Sequence, residues 1–552
     1  MPVYDRARAR LALPIALAAV LAAAAGCSGA DDRAAGNDAS GRIAVEPDWI
    51  EGLEFREETL ESGQVTATAR HPVVPGANPF TIDVHSTIAE QQSAFVAEFA
   101  GGDAPAVLRS DTALLAASGT VLGARIVTDR SAAVPGEEPG SGPAGRSATT
   151  RWYDASTGEA LPWTALLTGR NAADRLGVLV AAELLERGDV NRERVLETWP
   201  DAAVAEGTAS PVPTAGATAR PAERPTGGMF DNVPEDITPP TPPAPPASPG
   251  TVLAPEEARV LAEELAASPL DDIGFDGAGG IVVGFGPGEF TAADAGEVRV
   301  TVERAGTDPL LSEFGRRVRD QAVAGTRRLE LGAAADDPVP SSTVDCLRVP
   351  CAALTFDDGP GEGTPAVLDA LAERQARGTF FVMGQLAPEY PELLRRMVAE
   401  GHQIGNHTWK HDDLSTMSAE AVREDIERTA DAIEAAAGVR PTMVRPPYGA
   451  YTQETLEALG APAILWSNDT MDWHSRDTRR TVTVATEETR PGGIVLMHDI
   501  HPETVAGVPD IIDGLLARGF RLVTVGELYG ENPPGPGEAS GCLDGCVSPT
   551  GY

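Results

Sequence analysis

Two adjacent carboxylates, Asp357 and Asp358, end the apolar run CAALTF at 351–356 and are followed by Gly359 and Pro360. A strand that is hydrophobic along its length and stops at two acids indicates a site at its carboxyl end. One carboxylate can bind a cation, while the other stays free and ionised beside it and takes a proton. Asp, Gly and Pro also favour a solvated turn, but such a turn does not account for the hydrophobic run before it.

Two imidazoles, His407 and His411 in the stretch HTWKH, have the spacing i, i+4. On a helical turn this spacing places both rings on one face, where they can bind one divalent cation. His-x3-His also occurs as a surface pair, so the prediction depends on the acids lying nearby. Two imidazoles and one carboxylate leave coordination positions open for water and substrate, which is typical of a catalytic metal site.

The last third of the chain must position these residues, and it alternates seven apolar strand-like runs with helical ones. The helices are predicted at 364–376, 389–400, 418–438, 452–459, 478–489 and 508–518. This alternation predicts an α/β domain whose parallel sheet is closed, or nearly closed, as a barrel. Catalytic residues collect at the carboxyl ends of the strands in such folds, and the acid pair and HTWKH both follow strand-like runs.

Five motifs occur in order along this part of the chain: TFDDGP (355–360), HTWKH (407–411), RPPY (445–448), DTMDW (469–473) and LMH (496–498). Their order and spacing resemble those of NodB-type polysaccharide deacetylases, carbohydrate esterase family 4. The resemblance covers about 351–528 and implies a distorted (β/α) barrel catalytic domain, which we place at 346–530. It also implies one divalent metal ion, for which we expect Zn2+, with Co2+ or another divalent ion as alternatives.

The resemblance implies a role for each motif residue. Asp358, His407 and His411 are implied as metal ligands, and Asp357 as the general base that activates the metal-bound water. Arg445 is implied to hold Asp357 by a charge-assisted hydrogen bond.

The remaining motifs are implied to supply the acid and the oxyanion site. His498 resembles the general acid that protonates the leaving amine, and Asp472 is implied to raise the pKa of His498 so that it stays protonated. The backbone N–H of Tyr448 is implied to stabilise the oxyanion.

Substrate contacts are implied for Trp473, Leu496 and Pro447. Leu496 is equally compatible with a core position. Three further histidines match no motif and are expected at the surface: His402, His474 and His501.

The first 26 residues have the pattern of a signal peptide, because three arginines precede an apolar run at 11–25 that is too short to span a bilayer. The run ends in AAGC, which is similar to a bacterial lipobox, so we expect lipidation of Cys27 and anchoring at the membrane surface. An ordinary cleaved secretory signal is the alternative. Either signal predicts a location outside the cytoplasm, facing the cell wall, with 27–45 as a tether.

An α+β accessory domain is predicted at 46–333, with a Pro-rich insertion at about 205–251. Two of its segments, 151–168 and 273–302, resemble the RsiV-like extracytoplasmic domain that precedes the catalytic domain in PdaC-like deacetylases. This resemblance implies a wall-facing module without a catalytic motif; two small domains are the alternative. Two short segments complete the predicted organisation: a linker at 334–345 and a tail at 531–552.

Composition limits the partners of the protein. A formal net charge of −39 argues against nucleic acid, because a phosphate-binding protein needs a basic face. Apart from Cys27, four cysteines remain for an oxidising compartment: Cys346, Cys351, Cys542 and Cys546. They predict two disulfides with three possible pairings, and their spacings disfavour a zinc site.

The resemblance to NodB-type polysaccharide deacetylases implies a metal-dependent enzyme that hydrolyses N-acetyl groups of amino sugars in cell-wall glycan. Peptidoglycan is the expected substrate, at N-acetylglucosamine or N-acetylmuramic acid. A chitooligosaccharide deacetylase and an acetyl xylan esterase would use the same residues and are the enzymatic alternatives. A wall-binding or sensory lipoprotein is the alternative from another class, although binding alone does not require both a base and an acid. The sequence does not indicate an oligomeric state.

Overall fold

The computed structural model describes residues 42–45, 50–75, 78–102, 104–132, 144–202, 254–266, 268–325, 329–331, 344–530 and 532–546. The predicted signal peptide, the lipidation site Cys27, most of the tether and the Pro-rich insertion lie outside these residues. Within the described part of the chain, no helix is both long and apolar enough to cross a membrane. Below, the N-terminal region is 42–331 and the C-terminal region is 344–546.

The N-terminal region is built on a six-stranded sheet. Its strands are β1 (Glu54–Ser62), β2 (Val65–Val73), β3 (Ala106–Ser118), β4 (Val121–Ala132), β5 (Ala144–Asp154) and β6 (Glu159–Pro162). They pair in sequence order, β2 with β3 in parallel and the other neighbours antiparallel. The helix α1 (Asn78–Phe99) packs against this sheet.

A second, antiparallel sheet completes the N-terminal region. It consists of β7 (Ile273–Phe275), β8 (Ile281–Phe285) and β9 (Val298–Val302). The accompanying helices are α2 (Arg170–Leu185), α3 (Arg192–Thr198), α4 (Pro255–Glu264), α5 (Arg304–Thr307) and α6 (Glu313–Ala324). Together with the six-stranded sheet, these elements bury one core that contains Trp152, Trp199 and Phe285.

The alternation of β2 shows how sequence determines this packing. In VTATARHPV, the residues Val65, Ala67, Ala69 and His71 are buried. The three residues that alternate with them, at 66, 68 and 70, are only partly buried. Successive side chains of a strand point to opposite faces, so these four residues lie on the inward face. The same pattern therefore buries a histidine as well as the apolar residues.

The C-terminal region alternates strands and helices as the sequence predicts. Its strands are β10 (Cys351–Asp357), β11 (Thr379–Val382), β12 (Gln403–Asn406), β13 (Ala463–Ile464), β14 (Asn468–Asp469), β15 (Gly493–His498), β16 (Arg521–Val523) and β17 (Ala539–Ser540). Its helices are α7 (Thr364–Glu373), α8 (Pro391–Ala399), α9 (Ala419–Ala437), α10 (Gln453–Leu459), α11 (Asp472–Ser475), α12 (Thr478–Thr483), α13 (Pro502–Ala517) and α14 (Val525–Tyr529).

A parallel sheet with the order β12-β11-β10-β15-β14 forms the centre of the region, and β16 also pairs with β10. Every residue of β10 is buried, as expected for a parallel strand that is covered on both faces. The predicted mixed α/β architecture is confirmed. Single bridges, rather than continuous ladders, link this sheet to the pair β13-β17 among the described residues, so these ladders do not form a closed barrel.

The two regions share a hydrophobic core. Leu60, Val96 and other residues of the N-terminal region belong to the same buried cluster as Leu354 and Leu515 of the C-terminal region. Beside this core, Arg348 donates hydrogen bonds to Asp83 of α1 at 2.6 Å and to Glu90 of α1 at 3.0 Å. The N-terminal region is therefore part of the apolar packing around the C-terminal sheet.

The cysteine pairing, which the sequence leaves open, is local. Cys346 is bonded to Cys351 and Cys542 to Cys546. The segment predicted as a tail contributes β17, which pairs in parallel with β13.

The expectation that three histidines lie at the surface is wrong for His402, whose exposed fraction is 6%. Its Nδ1 accepts a hydrogen bond from the Gly378 N–H at 3.2 Å, and its ring packs edge-on against Phe380. His402 lies in the connection between α8 and β12, and its ring points into the core. His501 is half-buried, whereas His474 is exposed as predicted.

Candidate active site

The predicted chemical residues lie at the carboxyl ends of neighbouring parallel strands. Asp357 at the end of β10 is paired in register with His498 at the end of β15. His407 directly follows β12, and the Arg445 N–H donates to the Asn406 carbonyl at 2.9 Å. Since parallel strands end at one edge of a sheet, three distant motifs are brought to one place.

Asp358, His407 and His411 form a group that can hold one metal ion, because their donor atoms lie within 4.8 Å of one another. Oδ1 of Asp358 is 3.4 Å from Nε2 of His407 and 3.4 Å from Nε2 of His411. This buried oxygen has no hydrogen-bond partner among the described residues. An unpartnered carboxylate oxygen facing two imidazole nitrogens fits a divalent cation such as Zn2+.

Electrostatics within this group favour the protonation states that bind metal. Burial raises the pKa of Asp358, but the nearby imidazoles of His407, His411 and His498 hold that pKa well below its usual range. Burial and the neighbouring His407 lower the pKa of His411. An ionised carboxylate and a neutral imidazole are therefore both favoured.

The predicted helical turn for HTWKH is wrong, although both rings do face Asp358. The segment forms a turn in which Thr408 and His411 have left-handed backbones, with φ 64° and 67°, and Asp358 also has φ 69°. The Thr408 N–H donates to the Asn406 side chain at 2.9 Å and the His411 N–H to the Thr408 hydroxyl at 3.1 Å. Left-handed backbone costs on the order of 1–3 kcal/mol at a non-glycine residue and is concentrated at functional sites.

Arg445 links the metal-ligand group to Asp357. Its Nη1 donates to Asp357 Oδ1 at 2.8 Å and to the Thr355 hydroxyl at 2.6 Å, and its carbonyl is 2.8 Å from Nδ1 of His407. The carbonyl can only accept, so Nδ1 of His407 carries a proton, and Nε2 is the ring nitrogen that faces Asp358 and can bind a metal. Burial lowers the pKa of the enclosed Arg445 guanidinium, and the charge of Asp357 opposes that effect.

His498 is held by the buried carboxylate of Asp472, which lies 2.8 Å from its Nδ1. Burial lowers the pKa of His498, but the hydrogen bond and charge of Asp472 outweigh burial and raise the pKa to about 9. The imidazolium form is therefore favoured at neutral pH, and Nε2 is the nitrogen that Asp472 does not engage.

Comparison with known proteins agrees with this geometry. The profile of the polysaccharide deacetylase family matches residues 345–462. A chitooligosaccharide deacetylase of Bradyrhizobium sp. (strain ANU 289) is 38% identical over 195 residues, which cover 32% of this chain and 89% of that protein. The chain belongs to the polysaccharide deacetylase family.

Two longer relatives of this deacetylase family match the same third of the chain. The peptidoglycan-N-acetylglucosamine deacetylase PgdA of Listeria monocytogenes is 43% identical over 184 residues, covering 32% of this chain and 39% of that protein. The peptidoglycan-N-acetylmuramic acid deacetylase PdaC of Bacillus subtilis (strain 168) is 39% identical over 177 residues, covering 32% of this chain and 38% of that protein. The chain thus spans about two fifths of the length of these two deacetylases.

The residues that the deacetylase resemblance links to the oxyanion and to substrate differ in exposure. Tyr448 is 63% exposed at φ 60°, and its ring contacts His411 edge-on at 4.5 Å. Trp473 is 38% exposed, whereas Leu496 is only 4% exposed and Pro447 is buried. Tyr448 and Trp473 thus offer accessible aromatic surface, and Leu496 lies in β15 as part of the packed sheet.

Sequence reasoning missed two polar residues beside the His498–Asp472 pair. The Thr504 hydroxyl donates to Asp472 Oδ2 at 2.6 Å. Asp499 is wholly buried, accepts a hydrogen bond from the Thr364 hydroxyl, and has its pKa raised to about 7 by burial. Asp499 directly follows the deacetylase motif LMH at a strand end, which is a usable signal, whereas Thr504 carries no pattern of its own.

Proposed function

We propose that this protein is a metal-dependent deacetylase that removes N-acetyl groups from amino sugars of cell-wall glycan, with peptidoglycan as its substrate. The observation that carries the proposal is the pairing of two charged groups around one ligand cluster. Asp357, held by Arg445, and His498, held by Asp472, lie opposite each other on adjacent strands. A base and an acid beside a metal site are what amide hydrolysis requires.

Asp358, His407 and His411 would hold the divalent ion, and their nitrogen and oxygen donors suit Zn2+, with Co2+ as an alternative. When bound, the ion would supply Lewis-acid chemistry by polarising the acetyl carbonyl and activating water.

Asp357 would act as the general base. One of its oxygens accepts the Arg445 hydrogen bond at 2.8 Å, and the other lies 3.7 Å from Nε2 of His407, facing the ligand cluster. The second oxygen can therefore take the proton of the attacking water, while Arg445 fixes the carboxylate in place.

His498 would act as the general acid. Asp472 occupies Nδ1, so the proton for the departing sugar amine would come from Nε2. A pKa of about 9 keeps the ring charged at the start of the reaction. The Tyr448 N–H, beside His411, would stabilise the oxyanion that forms on the acetyl oxygen.

Peptidoglycan is favoured because two relatives that match this region are a peptidoglycan-N-acetylglucosamine and a peptidoglycan-N-acetylmuramic acid deacetylase. The exposed faces of Tyr448 and Trp473 would pack against sugar rings. Action on chitooligosaccharides, as named for the Bradyrhizobium relative, or on acetylated xylan would use the same residues with a different groove.

The remaining expectations complete the proposal. A wall substrate supports an extracytoplasmic location, with Cys27 as the lipid anchor. The accessory domain (46–333) would face the wall, and the bridges Asn406–Val444, Val444–Ala463 and Gly493–Cys542 support a distorted barrel for the catalytic domain at 346–530.

The test is acetate release by the purified full chain, supplied with Zn2+ or Co2+, from peptidoglycan, chitin oligomers and acetylated xylan in parallel. Asp357→Asn is the inactive variant, and Asp369→Asn, at an exposed position of α7, is the matched control. Release from peptidoglycan that only Asp357→Asn abolishes would support the proposal. No release from any substrate by the metal-loaded chain would overturn it, and retention on insoluble peptidoglycan would then favour the wall-binding alternative.

A further inference from the structure

The N-terminal region contains a second cluster of metal-ligating side chains: Glu58 on β1, His71 on β2 and His85 on α1. In the β1–β2 ladder, Glu58 is opposite Ala69 and Arg56 is opposite His71. Glu58 and His71 are therefore diagonal neighbours on the same inward face. His85 approaches them from α1, which packs on β2.

The donor atoms of these three residues converge. Nε2 of His85 is 2.8 Å from Oε2 of Glu58, and Nε2 of His71 is 3.7 Å from Oε1 of the same carboxylate. The two imidazole rings are stacked, with centroids 4.1 Å apart and an angle of 7° between their planes. Donor atoms that each bind Zn2+ at about 2.1 Å with tetrahedral angles lie about 3.4 Å apart, a value between the two separations of 2.8 Å and 3.7 Å found here.

His71 gives an independent indication of a ligand. Its exposed fraction is 0%, and neither ring nitrogen has a hydrogen-bond partner among the described residues. Polar groups in protein interiors are almost always paired, because an unpaired one loses its hydration without compensation. A cation at Nε2 would give this nitrogen a partner on the side of the ring that faces Glu58.

One positive group lies near the cluster, at the same Glu58 oxygen, Oε2, that Nε2 of His85 approaches. Nη1 of Arg521, on β16 of the C-terminal region, is 3.7 Å from Oε2 of Glu58, and Nη2 donates to the Gln92 side chain of α1. His71 faces Oε1. Because His85 faces Oε2, a cation would replace the hydrogen bond between His85 and this oxygen, and Arg521 at 3.7 Å would connect the carboxylate to the C-terminal region.

We propose that Glu58, His71 and His85 form a second divalent-metal site, distinct from the site at Asp358. Two imidazoles and one carboxylate are the ligand set of a Zn2+-type ion, and water would complete its coordination. The ion would cross-link β1, β2 and α1 at the junction with β16. This proposal does not depend on the deacetylase activity.

The experiment is to count metal ions bound to the full chain after equilibrium dialysis against Zn2+, by inductively coupled plasma mass spectrometry. We expect two ions in the unaltered chain, one in the double variant His407→Asn/His411→Asn, and none when His71→Asn is added. His402→Asn, a buried histidine outside both clusters, is the matched control and should still bind two. Failure of the double variant to bind any ion, or an ion that remains after His71→Asn, would overturn the proposal.

A second measurement covers the case in which His71→Asn does not fold. Glu58→Gln keeps the size and shape of the side chain, and it is combined with the His407→Asn/His411→Asn background. We expect Zn2+ to raise the melting temperature of the background variant and to leave the Glu58→Gln form unchanged. Co2+ should give the visible d–d absorption of a four-coordinate site only in the former. Equal stabilisation of both forms by Zn2+ would contradict the site.

Discussion

Asp472 binds His498 at both its ring and its backbone. Oδ1 of Asp472 accepts from Nδ1 of His498 at 2.8 Å, and Oδ2 accepts the backbone N–H of His498 at 2.8 Å. One buried carboxylate thus fixes the tautomer of the ring and the position of the strand end that carries it. Because Asp472 is only 1% exposed, its charge acts on the imidazolium with little screening by water.

Replacing this carboxylate with the neutral amide in Asp472→Asn should lower the pKa of His498 from about 9, since the proton loses its anionic partner. The alkaline limb of the kcat/KM profile for acetate release should move to lower pH. We also expect kcat to fall by roughly 10²–10⁴-fold, the usual contribution of a general acid. An alkaline limb that stays in place would show that another group is the acid.

The same pair predicts how stability depends on pH. A folded-state pKa of about 9, above the ordinary value of 6.5, stabilises the folded chain fully below pH 6.5, and this contribution is lost as the pH rises through 9. Urea unfolding of the unaltered chain and of Asp472→Asn should therefore differ most at pH 6 and converge above pH 9. Asp510→Asn, at an exposed position of α13, should follow the unaltered chain throughout.

Substitutions of the adjacent acids Asp357 and Asp358 should differ in their effect on metal binding. Asp358→Asn removes the negative charge of the carboxylate that faces both imidazoles at 3.4 Å, so it should lose the catalytic ion and the activity together. Asp357→Asn should keep the ion and lose only the activity, because its carboxylate is held by Arg445 rather than by the ligand cluster. Metal content and acetate release, measured on the same samples, check both outcomes, and equal metal loss in the two variants would contradict the assigned roles.

Arg445 and Arg440 offer a matched test of burial. Arg445 is 0% exposed and pairs with Asp357, so Arg445→Ala leaves a buried carboxylate unpaired and should lower the free energy of unfolding by about 3–5 kcal/mol. Arg440 pairs with Glu427, Asp431 and Glu434 at the surface. Because exposed pairs contribute roughly 0–1 kcal/mol, Arg440→Ala should be nearly neutral in urea denaturation. A similar loss of unfolding free energy in both variants would mean that burial of the arginine does not determine how much its removal destabilises the protein.

Sequence predicts the parts of this structure that depend on local pattern. The helix from Ala419 to Ala437 begins after Ser418, whose side chain accepts the Ala421 N–H, and ends at Gly438 with φ 78°, as its capping residues indicate. The grouping of Asp358 with His407 follows from the rule that parallel strands end at one edge.

The sequence does not predict features that depend on tertiary packing between distant segments. The helix predicted at 508–518 in fact begins at Pro502, and Pro509 lies within it. The prediction placed the start too late because a proline is favoured in the first turn of a helix, and the sequence offers two. Leu60 is buried, but no local pattern shows that its partners lie almost 300 positions later, in β10. Glu58, His71 and His85 have no motif spacing, because a strand ladder and a helix bring them together.

The shared core predicts that damage to β1 reaches the catalytic region. Leu60 is 6% exposed within the cluster that also contains Leu354 of β10, so Leu60→Ala should cost about 2–5 kcal/mol. The midpoint of thermal inactivation of acetate release should fall together with the unfolding midpoint measured by circular dichroism. Leu347→Ala, at a leucine that is 72% exposed, should shift neither midpoint. If Leu60→Ala lowers the unfolding midpoint but leaves inactivation unchanged, the two regions unfold independently and the shared core does not couple them.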